Sequence, residues 1–196
     1  MAGSSGAVVA RLMELWHRNP PFAARLRPGL SRERIEAALS EVGLAARAEF
    51  FVWWGAHDGI DDPDRIFGAG YMGGRLNLLS LEEALALRAE RLGWAQAGGW
   101  LDGEDWRVFL PVAQHVVAQD VLVVDCSSGP SAGGVYLIRG EPDDQRQKAA
   151  SLFDLAALWV RAHESGYITY DPEAGADAAC WATHGDWFDS DEPLLI

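Results

Sequence analysis

The sequence predicts an α+β protein: a mainly antiparallel sheet flanked by helices, with an extra N-terminal helix and an acidic C-terminal extension. Short apolar runs separated by turn residues, such as Val121–Asp125 and Gly134–Arg139, read as strands. Apolar residues at spacings of three and four mark helices, which interleave irregularly with those strands. The chain has 196 residues, 49% of them hydrophobic and 23% charged, the composition of one soluble globule that buries roughly 70% of its unfolded surface.

Along the chain, Ala7–Arg18 has helical spacing, with Val8, Leu12, Leu15 and Trp16 on one side, and Pro20-Pro21 ends it. FAARLRPG reads as a linker, so residues 1–29 form an N-terminal helix and linker. Ser31 is suited to cap a helix whose buried positions are Ile35, Leu39 and Val42, stopped by Gly43. A second helix over about Ala45–Gly55 carries Phe50, Phe51, Trp53 and Trp54 and ends near His57-Asp58-Gly59. The Gly- and Asp-rich stretch from Asp58 to Ser80 predicts a long loop closing in a strand near Arg75–Leu79. Ser80 and Glu83 form a capping box that opens a helix to about Gly93. Trp106–Leu110 reads as a strand ended by Pro111, then come the strands Val121–Asp125 and Gly134–Arg139 and a helix opened by Ser151 with Asp154 three residues on. Residues 30–165 are the α+β domain, and 166–196 are the acidic extension with one β-like piece at Tyr167–Tyr170.

Several residues have the chemistry of acid–base catalysis: His57, Asp58, His115, Asp120 and Asp125, with Ser127 and Ser128 nearby. A histidine base needs an orienting carboxylate and an activated nucleophile. No G-x-S-x-G turn is present to expose the serine, and Asp125 at the end of a strand is typical of a residue capping turn amides. The five histidines have no i, i+4 pair, and Cys126 and Cys180 stand far apart, so the spacing predicts no metal site and no cofactor. Cys126, closing a predicted strand, reads as a buried structural thiol. Gly68–Gly74 lacks the Lys-Ser/Thr of a phosphate-binding loop.

Charge is unevenly spread. Residues 57–196 hold 24 acidic residues against nine basic ones, and the whole chain has a formal net charge of −13. Such a field repels phosphates, which predicts no nucleic-acid partner and no membrane partner, and it suits a basic protein. The N-terminal stretch has no basic region ahead of an apolar run, because Arg11 and Glu14 interrupt it, and this predicts a cytoplasmic location. Nine tryptophans are many for this length; some belong to the core, and an excess of tryptophan also suits a contact surface. Two acidic loops combine these features: Asp58, Asp61, Asp62 and Asp64 in one, and Trp100, Asp102, Glu104 and Asp105 in the other.

The run QDVLVVDCSSGPSAGGVYLIRG (119–140), followed by ASLFDLAALWVRAHE, resembles the C-terminal half of the SUKH superfamily. That superfamily takes its name from fungal cell-wall-assembly regulators and includes many bacterial immunity proteins. The front half, with its I-x-x-x-L helix, glycine and aromatic-rich second helix, is similar too, although LAARAEF stands where members place a Leu-Pro pair. The resemblance implies a SUKH-like fold and a non-enzymatic protein that binds and occludes a cognate secreted toxin, such as a nuclease, in the producing cell. The two acidic loops are then the expected contact face for a basic toxin domain. A regulatory scaffold of the cell-wall-assembly type is the alternative that the fungal relatives imply.

Overall fold

The computed structural model describes residues 5–61, 76–97, 106–115, 120–138, 145–170 and 181–183. Helix α1 (Ser5–Trp16) is followed by a single helical turn, α2 (Pro20–Ala23), capped by the Asn19 side chain, which accepts from Phe22 N. Strand β1 (Leu26–Pro28) comes next. The stretch predicted as a linker is therefore structured, and the two prolines open α2 where their missing N–H groups have no intrahelical role. Helix α3 (Arg32–Glu41) is capped by Ser31 Oγ accepting from Arg34 N, and Gly43 follows it at φ +73°.

Helix α4 (Ala48–Ala56) runs directly into strand β2 (His57–Ile60), which pairs antiparallel with β1. This corrects the reading of His57 as the end of the helix and of Asp58–Ile60 as the start of a loop. Gly59 makes the strand possible. Its φ is +71°, and a Cβ there would collide with Ser80 N and the Leu79 carbonyl carbon, so β2 approaches that backbone as closely as a hydrogen side chain permits.

Strand β3 (Leu76–Leu78) leads into helix α5 (Leu81–Gln96), which carries the complete Ser80–Glu83 capping box and passes through Gly93. Strands β4 (Phe109–His115), β5 (Val121–Asp125), β6 (Val135–Ile138) and β7 (Gln145–Ala149) complete an antiparallel sheet in the order β3-β4-β5-β6-β7. Trp106–Val108 form a turn, and β4 runs through Pro111 where the sequence predicted an end. Proline is tolerated there because β3 pairs only with residues 113–115, and the β4–β5 register shifts between Pro111 and Ala113. Strand β7 has the sequence QRQKA, whose charged and amide side chains suit a sheet edge.

Helix α6 (Leu152–Glu164) is capped by Ser151 Oγ accepting from Asp154 N. It packs against α1, α4 and β7. Strands β8 (Ile168–Tyr170) and β9 (Trp181–Thr183) form a separate antiparallel pair. The helices meet in an aromatic knot: Trp16 of α1, Trp53 of α4 and Trp159 of α6 are all fully buried, with ring centroids 5.7–6.5 Å apart. On the sheet, α5 packs against β4. No helix among the described residues is long and apolar enough to cross a membrane.

Candidate functional site

Of the eight residues assigned to the acidic loops, Asp58 and Asp61 are described; Asp62, Asp64, Trp100, Asp102, Glu104 and Asp105 lie outside the described residues. Asp58 performs a structural task. Its Oδ1 accepts from Leu81 N at 2.8 Å, while Ser80 Oγ accepts from Glu83 N at 3.1 Å and Glu83 Oε2 accepts from Ser80 N at 2.8 Å. Three of the otherwise unpaired donors at the start of α5 are thereby satisfied. Asp61 is free of such a task, with its side chain 68% exposed and 3.7 Å from Arg27 Nη2. Arg27 also reaches Glu83, at 3.1 Å (Nη1 to Oε2) and 3.2 Å (Nη2 to Oε1). Burial works to raise the Glu83 carboxyl; hydrogen bonds from Ser80 and Arg27 outweigh it and hold the group below its ordinary value.

Beside this cluster a cavity of about 420 Å³ opens between α5, the end of β2 and the β3–β4 pair. Its apolar wall is Ile60, Leu78, Leu79 and Leu87. Its polar groups come from two directions. Asn77 and Gln114 are register partners across β3 and β4 and stand side by side, with His115 next along the strand. Glu83 and Glu90 line it from α5 at positions i and i+7, with Leu87 between them, which places all three on one helical face. Among the described residues that line the cavity there is no lysine or arginine. Asn77 Oδ1 is buried and accepts no hydrogen bond.

The same face continues one turn on, at i+11, to Trp94. It is the large hydrophobic side chain left most in the open among the described residues, at 38% exposure, and Arg91 stacks over its ring at 4.7 Å. Glu83, Leu87, Glu90 and Trp94 thus form a stripe of two carboxylates and two apolar side chains. In the sequence Glu83 reads only as a cap. The i, i+4, i+7, i+11 spacing of the stripe was the available signal for the rest.

The residues with catalytic chemistry are dispersed. His57 is completely buried between Trp16 (5.3 Å) and Trp53 (5.0 Å), its Nδ1 accepts from Gly59 N at 3.1 Å, and burial pushes its pKa down to about 3. His115 and Asp125 occupy opposite ends of the β4–β5 hairpin, since Phe109 pairs with Asp125 while His115 N donates to Asp120 O at 2.8 Å. Asp125 caps the turn after β5: its Oδ1 accepts from Ser127 N at 2.7 Å and its backbone oxygen from Gly133 N at 2.7 Å. Burial opposes ionisation of Asp125, but hydrogen bonds from Ser131 and Ser127 prevail and lower its pKa. Burial pushes the Cys126 thiol up to about 12, so it is protonated and unreactive at neutral pH. No group of three or more His, Cys, Asp or Glu among the described residues is placed to hold a metal ion.

Buried charge lies elsewhere. Glu49 is 6% exposed, its Oε1 is 2.9 Å from Arg47 Nε, and its Oε2 accepts from Leu152 N at 3.2 Å, joining α4 to the start of α6. Burial raises its pKa against the pull of Arg47. No protein-family model matches the chain, and no curated protein matches it.

Proposed function

We propose that this chain is an immunity protein that binds a basic, secreted toxin domain and occludes it in the cytoplasm of the producing bacterial cell. The observation that carries the reading is the stripe on α5: an exposed tryptophan and two carboxylates in line, beside a concave surface with an apolar wall. Tryptophan supplies contact area at low entropic cost, and carboxylates steer and orient a cationic partner. The net charge of −13 extends the same preference over the molecule.

The SUKH-like assignment belongs to the same proposal. It draws support from β5, its turn capped by Asp125, β6 and the Ser151-capped α6, which follow the order of residues on which the resemblance rests. The contact face comprises Asp58, Asp61, Asp62, Asp64, Trp100, Asp102, Glu104 and Asp105, extended by Glu83, Glu90 and Trp94. Inhibition is by stoichiometric coverage, with no chemistry performed by this chain.

The test is capture of partners by the tagged protein, followed by expression of each captured partner alone and together with this chain. A basic partner that kills when expressed alone and is harmless with this chain establishes immunity. Stable partners that are all harmless when expressed alone replace the reading with the regulatory scaffold.

A further inference from the structure

We infer that the cavity between α5 and the β3–β4 pair is a socket for a single arginine side chain of the protein partner. The inference rests on the protein-binding reading above and adds the position and chemistry of the anchor.

The volume, about 420 Å³, is in the range of pockets that enclose small ligands, roughly 300–1,000 Å³. Its two surfaces match the two parts of an arginine. Ile60, Leu78, Leu79 and Leu87 offer an apolar wall for the three methylenes, and Glu90, Glu83 and the amide of Gln114 offer acceptors for the head. Asn77 Oδ1 is sealed from solvent, so the head group meets the exposed Glu90 carboxylate and the half-buried Gln114 amide.

Other ligand classes fit less well. An anion meets two carboxylates and no lysine or arginine among the described lining residues. A purely apolar group makes no use of the two carboxylates. Between the two cationic side chains, the acceptors lie on separate elements and approach from different directions. A planar guanidinium with five fixed donors, weakly hydrated, serves that arrangement better than a compact ammonium. Glu83 is already held by Arg27 and Ser80. Glu90 is therefore the carboxylate that meets the incoming charge.

The experiment is a titration of the whole protein with N-acetyl-arginine N-methylamide, followed by backbone amide chemical shifts, with the citrulline compound as the neutral isostere. Saturable shifts centred on Asn77, Leu87, Glu90 and His115 are expected. Affinity is expected to fall about two- to fivefold for citrulline and for Glu90→Gln, a loss of one ionic contact at an exposed carboxylate. Glu90→Lys provides a second check: at an exposed helix position it leaves thermal stability nearly unchanged, and it abolishes probe binding. Shifts absent from these residues, equal affinity for citrulline, or unaltered affinity in both variants overturns the inference. The two readings fail separately. A neutralised toxin with no arginine binding here removes the socket and leaves immunity intact; arginine binding here with only harmless partners does the reverse.

Discussion

The imidazole of His57 stands edge-to-face against the indole of Trp53, ring centroids 5.0 Å apart, and has no exposed surface. A charged imidazolium in that position would lose its hydration. The folded-state pKa is therefore about 3, against 6.5 for the unfolded chain. Between those values the unfolded state binds the extra proton, so the stabilisation is fully present above pH 6.5 and is lost as pH falls toward 3. His163, whose pKa burial lowers to about 4, adds a second imidazole of the same sign. Each contributes a slope of about 1.4 kcal/mol per pH unit within its window. Glu49, with its pKa raised, acts in the opposite sense and offsets part of the loss. Denaturant midpoints measured from pH 7 to pH 4 are expected to fall steeply. In His57→Asn, which keeps an acceptor for Gly59 N and cannot titrate, the slope is expected to shrink by about one proton; an unchanged slope would show that His57 does not govern acid stability.

Trp16 connects α1 to the rest of the core through Trp159 (6.1 Å), Trp53 (6.5 Å) and Phe22 (5.6 Å). The exposed Arg11–Glu164 pair between the same two helices, at 2.8 Å, adds little. Truncation of a buried tryptophan costs about 3–5 kcal/mol. Trp16→Ala is expected to lose that much in equilibrium unfolding, whereas Arg11→Ala is expected to leave stability nearly unchanged. A Trp16→Ala protein of near-normal stability would mean that α1 is dispensable to the core.

The caps were the most legible part of the fold. Ser31, Ser80 with Glu83, and Ser151 each open a helix, because a short hydroxyl followed by helical spacing has few other uses. Strand β5 has the predicted limits, its first four residues being β-branched or apolar and its last the Asp125 that caps the turn. Strands β1, β2 and β7 were illegible for a common reason. LRP, HDGI and QRQKA have little intrinsic strand preference, and each is extended because a neighbour supplies its hydrogen bonds. The cavity was illegible as well. Asn77 and Gln114 are ordinary polar residues until the β3–β4 register sets them side by side, and Glu90, an exposed helix position, comes to line the cavity only once α5 is placed against β4.

Glu49 tests how a buried carboxylate is tolerated. Its Oε2 is the acceptor for Leu152 N, and Arg47, its ionic partner, keeps 32% of its side chain in solvent. Glu49→Ala leaves the Leu152 donor unpaired but lets Arg47 hydrate, and a loss of about 2–3 kcal/mol is expected. Glu49→Gln retains an acceptor and removes the buried charge, so a change within about 1 kcal/mol is expected. Chemical denaturation of both variants separates the two contributions. An equal loss in both would show that the charge itself, rather than the acceptor, holds α4 to α6.

Binding and stability can also be separated on the proposed contact face. Asp58 accepts from Leu81 N, so Asp58→Ala is expected to lose about 1 kcal/mol of stability through the cap, and any effect of this variant on a partner is confounded. Asp61 and Trp94 carry no such burden, one being 68% exposed and the other 38%. Asp61→Lys is expected to leave the melting temperature nearly unchanged and to slow association with a basic partner, since a rim charge acts chiefly on the encounter. Trp94→Ala gives up one cation–π contact, about 0.5–1 kcal/mol at an exposed site, and is expected to weaken the complex about tenfold or more through faster dissociation. Association and dissociation rates measured for both variants against the captured partner decide the matter. If neither rate changes, the partner docks on a different surface, and the stripe on α5 has no part in recognition.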